Sequence, residues 1–83
     1  MNQIRVLFFA TISDIIRARE IILDIPESAT IKTLLNHLED KYPALSEYES
    51  RMLISINQEF IPSDDREIPY KAEVAIFPPV SGG

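Results

Sequence analysis

Gly82 and Gly83 are the only glycines in this 83-residue sequence, and they close the run Phe77-Pro78-Pro79-Val80-Ser81-Gly82-Gly83. Glycine has no Cβ to hinder attack at its carbonyl, and two in succession let a chain end thread a narrow channel. The pattern points to the carboxylate of Gly83, rather than to any side chain, as the reactive group. An α-carboxylate, with a reference pKa of about 3.3–3.7, is ionised at neutral pH and is a poor electrophile. Another enzyme must activate it, most simply as a mixed anhydride with AMP. The competing reading is a frayed end or a linker remnant. That reading does not explain why the glycines follow Pro78-Pro79-Val80, or why residues 1 to 81 contain none.

The other residues offer little chemistry of their own. Without cysteine the chain has no thiol nucleophile, disulfide or thiolate metal site. A glycine-rich phosphate loop needs several close backbone amides, so ATP binding through such a motif is excluded. His37, the single histidine, falls on the flank of a helical segment and reads as a solvated surface residue. The carboxylate pairs Glu39-Asp40 and Asp64-Asp65 are sequence neighbours, which do not converge on one helix face or strand face. No internal catalytic group, metal ligand or bound cofactor is expected.

Composition narrows the class further. Eight basic and thirteen acidic residues give a formal charge of −5, which disfavours nucleic acid because phosphate contacts need clustered Lys and Arg. The N-terminal residues lack the long apolar core of a signal peptide, and no segment approaches the ~20 apolar residues of a membrane span. A cytoplasmic protein is the expectation. With 46% hydrophobic residues the chain can form one core unaided.

The elements that must carry the tail follow from periodicity. Ile4, Val6 and Phe8 alternate with Arg5, Leu7 and Phe9, giving a first strand apolar on nearly both faces. Thr11 to Arg19 reads as a short helical turn, and Glu20 to Ile25 as a second strand stopped by Pro26. Ile31, Leu34, Leu35 and Leu38 have the spacing of a helix with one buried stripe, capped by Ser28 or Thr30 and ended before Pro43. Ala44 to Arg51 reads as a surface loop or helical turn. Met52 to Ile56 and Glu59 to Ile61 flank Asn57-Gln58 as a hairpin; a type I′ turn there would strain Gln58.

Glu73 to Phe77 forms the last strand, ended by Pro78-Pro79, which remove two donors and favour a stiff extended exit. Six residues from Pro78 could reach ~20 Å. This order predicts an α+β roll of the ubiquitin-like, β-grasp kind, a mixed sheet with one main helix across it, with a compact split βαβ sheet as the alternative. Residues 1 to 77 would be the domain and 78 to 83 the tail. If the first and last strands are neighbours, Leu7, Phe9, Ala75 and Phe77 share one outward face and form an apolar patch at the root of the tail, either an interface or a minor second core.

At both ends the residues resemble a known family. Val6-Leu7-Phe8-Phe9-Ala10 and Glu73 through Gly83, with the Leu34-Leu35 helix ending Lys41-Tyr42-Pro43 and the Ile56-Asn57 turn, are similar to the small subunits of molybdopterin synthase over almost the whole chain. The resemblance implies a ubiquitin-like sulfur carrier. A ubiquitin-activating-type enzyme would use ATP to adenylate Gly83, and a persulfide donor would replace AMP to leave a thiocarboxylate. The charged tail would enter the large synthase subunit and pass sulfur to cyclic pyranopterin monophosphate, two carriers serving each dithiolene in a heterotetramer.

By the same matching, Phe9 and Phe77 are expected to contact the large subunit, with Pro79, Val80, Ser81 and Gly82 leading the inserted end to Gly83. A chain without cysteine can carry sulfur only on a carboxyl group, so it supplies position rather than catalysis. Two departures stand out. Members often have an Asp-Gly turn where this chain has Lys71-Ala72, and a glycine near Arg17-Ala18-Arg19. The rival readings are a carrier for thiamine or tRNA thiolation, a protein modifier joined to lysines, and a passive β-grasp binding module.

Overall fold

The computed structural model describes residues 1–48, 51–62 and 65–79. Five strands, β1 (Asn2–Phe8), β2 (Glu20–Ile25), β3 (Leu53–Ile56), β4 (Glu59–Phe60) and β5 (Glu73–Phe77), form one sheet in the order β2-β1-β5-β3-β4. β1 runs antiparallel to β2 and parallel to β5, while β3 is antiparallel to both β5 and β4. The sheet is therefore mixed, and its central pair is the first and last strands of the chain. A short helix α1 (Ala10–Ile16) links β1 to β2, and the main helix α2 (Ile31–Lys41) follows β2. This is the β-grasp roll rather than the split βαβ alternative.

α2 starts where expected. Thr30 is extended and its hydroxyl accepts the Thr33 amide at 3.3 Å, which satisfies one of the otherwise unpaired first-turn donors. Ile31, Leu34 and Leu38 are buried, each burial contributing about 1.5–3 kcal/mol, whereas Leu35 lies at the stripe's margin and is only half-buried. These side chains pack in one core with Ile4, Val6 and Phe8 of β1, Ile54 and Ile56 of β3, and Val74 and Ile76 of β5. The segment Pro43–Tyr48 forms a 3₁₀ turn whose Leu45 joins that core.

The glycine-free body solves its turns with other residues. Asn57 (φ 50°) and Gln58 (φ 71°) both take the left-handed region, so the β3–β4 hairpin is a type I′ turn with Gln58 at the strained position. Two further turn residues adopt the same region: Arg17 (φ 65°) caps α1 by donating its amide to the Ser13 carbonyl, and Lys71 has φ 56°. Asn2 explains how Lys71 is held. It is buried at the start of β1, its Oδ1 accepts the Lys71 amide at 2.7 Å, and its Nδ2 donates to the Pro69 carbonyl at 2.9 Å. Asn57 Oδ1 likewise accepts the Glu73 amide at 2.9 Å. Two asparagines thus pin the turn and the first residue of β5, the strand that leads to the tail.

Candidate functional site

Because β1 and β5 are parallel, their C-terminal ends meet at one end of the sheet, and the Phe9 amide donates to the Ile76 carbonyl at 3.2 Å. Phe9 therefore lands beside Phe77. Their rings stack face to face, centroids 4.5 Å apart and 5° from parallel. Both belong to the face opposite Val6, Phe8, Val74 and Ile76, the face that neither helix covers.

The structure adds two residues that periodicity did not single out. Phe60, 64% exposed, tilts against Phe77 at 5.6 Å, and Leu53 stands opposite Phe77 in the β3–β5 register. The signal for them was parity across the sheet, which needs the strand order to be known. Ala75, expected in the outward patch, points that way but is buried, because its small side chain sits between Leu7 and Ser55 in register on either side.

Pro78 and Pro79 leave the strand in irregular, half-buried conformation at the foot of the patch. Val80, Ser81, Gly82 and Gly83 lie outside the described residues. His37 is exposed on α2. Among the described residues no three His, Cys, Asp or Glu side chains converge as metal ligands, and no helix is long and apolar enough to cross a membrane. Asp64 of the Asp64-Asp65 pair lies outside the described residues, and Glu39-Asp40 are successive residues on α2.

Below the patch on the same face, charged side chains stand beside the exposed Ile22, which lies opposite Arg5 in the β1–β2 register. Arg5 on β1 bridges Glu20 at 3.1 Å and Glu73 at 3.3 Å, so one guanidinium serves two carboxylates across three strands. The hydrogen bond that Arg5 donates to Glu20, then the charge of Glu20, raises the Arg5 pKa above its ordinary value; burial opposes this and Glu73 adds to it. For a raised value the associated stability is full below the unfolded pKa and lost only as pH climbs through the folded one. Arg5 therefore stays charged throughout the neutral range. Where β1 meets α1 and the start of β2, Leu7, Phe8, Phe9, Ala10, Ser13, Arg19 and Glu20 line a groove of about 440 Å³.

The described residues thus place an exposed aromatic cluster, Phe9, Phe60 and Phe77, at the end of the sheet from which Pro78 and Pro79 depart. The ThiS family model matches residues 6–83. The chain belongs to the ThiS family. Within it, the "molybdopterin synthase sulfur carrier subunit" of Dictyostelium discoideum is 38% identical, covering 99% of this chain and 98% of that one. The protein of the same name from Caenorhabditis elegans is 34% identical over the full length of both. Among solved structures, SAMP1 of Haloferax volcanii superposes with a TM-score of 0.82 at 26% identity, covering 99% of this chain and all of that one. The ThiS-family match includes both Phe9 and Phe77 as well as the tail.

Proposed function

We propose that this chain is the sulfur carrier subunit of molybdopterin synthase. The observation that carries the reading is the stacked Phe9–Phe77 patch at the root of the Pro78–Gly83 segment, in a chain similar over its whole length to proteins named as such carriers. In this reading an adenylating enzyme of the ubiquitin-activating type joins the Gly83 carboxylate to AMP, with pyrophosphate leaving ATP. The terminal sulfur of a persulfide donor displaces AMP, and a thiol cuts the donor's S–S bond to free the thiocarboxylate. ATP is consumed by the partner and no cofactor is held by the carrier.

The large synthase subunit then closes over the patch and receives the tail, Pro79 to Gly83, where the thiocarboxylate sulfur attacks cyclic pyranopterin monophosphate. Sulfur in a thiocarboxylate is the better nucleophile, and docking places it against the substrate, so the carrier contributes by positioning. Alone it turns nothing over. The cytoplasm, where ATP is available, is the expected compartment.

Intact mass spectrometry of the chain from its own cells tests this reading. A fraction heavier by the difference between one sulfur and one oxygen, localised to Gly83, supports it; a terminus that is never thiolated contradicts it. Removal of Gly82 and Gly83 is expected to abolish sulfur transfer while leaving the melting temperature almost unchanged, because the last few residues of a domain generally add little stability. The likeness to SAMP1, a small archaeal modifier protein, favours a second reading as a protein modifier, whose signature would be isopeptide adducts of Gly83 on cellular lysines.

A further inference from the structure

The exposed parts of Phe9, Leu53 and Phe60 come to on the order of 300 Å², given aromatic side chains of about 150–250 Å², which is well short of the about 800 Å² per partner of a standard interface. A stable partner must therefore cover more than the rings. Coverage therefore extends down the strands over Leu7 and Ala75. A footprint of about 800 Å² centred on Phe77 has a radius of about 16 Å. Glu73 is four residues from Phe77, or about 13 Å at ~3.3 Å per residue, so it falls at the rim.

At that rim two carboxylates, Glu20 and Glu73, share the one guanidinium of Arg5. These three side chains together carry one excess negative charge, with Arg19 the neighbouring cation along the groove. Covering it with an apolar or acidic surface would desolvate carboxylates that are only partly satisfied, which is unfavourable unless the incoming face brings donors. A second copy of this chain would bring the same excess of negative charge.

We propose that the partner face closing over the Phe9–Phe77–Phe60 patch is edged by Lys or Arg set opposite Glu20 and Glu73, with Arg5 acting as a counter-charge that moderates the attraction. The inference rests on the carrier reading, in that this partner is the synthase large subunit. It identifies Glu20, Glu73 and Arg5 as rim residues that tune association rather than as groups touching the reacting atoms.

The test is the association rate of the full-length chain with the large subunit at low and high salt. Glu20→Gln and Glu73→Gln are expected to slow association about two- to fivefold at low ionic strength and to flatten its salt dependence. Arg5→Gln, which leaves both carboxylates unopposed, is expected to speed association, and Arg5→Lys to match the unaltered chain. All variants should converge near 1 M salt, where the Debye length is about 3 Å.

A purely structural role for the row would make all three glutamine variants slower together. That outcome, or a rate indifferent to these charges, overturns the inference while leaving a stable complex and the carrier reading intact. If the unaltered chain forms no complex with the large subunit, the carrier reading and this inference both fall.

Discussion

At the scale of single residues, the body of the chain accepts backbone strain where glycine would remove it. A left-handed non-glycine residue costs roughly 1–2 kcal/mol, and glycine gives back about 0.5–1 kcal/mol of that through the entropy of the unfolded chain. Gln58→Gly and Lys71→Gly are each expected to raise stability by up to about 1 kcal/mol, a rise of a few degrees in the melting midpoint. Calorimetry checks this, and a lower midpoint for Gln58→Gly would contradict the type I′ assignment. Asn2→Ala should act in the opposite direction, because it leaves the Lys71 amide and the Pro69 carbonyl without their side-chain partner.

At the scale of elements, β5 is the part on which the site depends. It lies between β1 and β3, and its outward residues give the patch its stacked ring, while its inward Val74 and Ile76 are buried. α2 holds the opposite side of the sheet, so its integrity sets the position of the tail only through the core. Thr30→Ala is expected to cost about 1 kcal/mol, and Leu34→Ala about 2–5 kcal/mol. Urea unfolding measures both. Neither variant should change sulfur transfer at temperatures where the protein remains folded, and a transfer defect in a folded Thr30→Ala protein would show that α2 takes part in docking.

For the molecule as a whole, the division of labour is by face. One face of the sheet is closed by helices and supplies stability; the other is left open and, in the proposed carrier reading, is the face for recognition. Phe60 separates the two roles cleanly because it is 64% exposed on a two-residue edge strand. Phe60→Ala should change stability by less than about 0.5 kcal/mol. It should weaken binding of the large subunit by about tenfold or more, the effect of losing an aromatic anchor. Isothermal titration with the large subunit, beside a thermal melt, distinguishes these effects, and unchanged affinity would remove Phe60 from the docking surface.

Much of this was legible without coordinates. The alternation through Val6, Phe8, Val74 and Ile76, the Ile31–Leu38 stripe and the Pro78-Pro79 stop are local patterns, set by the period of each element and the missing proline amide, and the structure has them where the sequence places them. The Gly82-Gly83 end is likewise a property of composition. What tertiary structure decided was adjacency. Only the parallel pairing of β1 with β5 puts Phe9 on Phe77, only the β3–β5 and β3–β4 registers add Leu53 and Phe60, and only three strands side by side bring Arg5 between Glu20 and Glu73. Those contacts join residues as many as 68 positions apart, and a pattern that repeats every two or four residues carries no information about which strand will lie beside which.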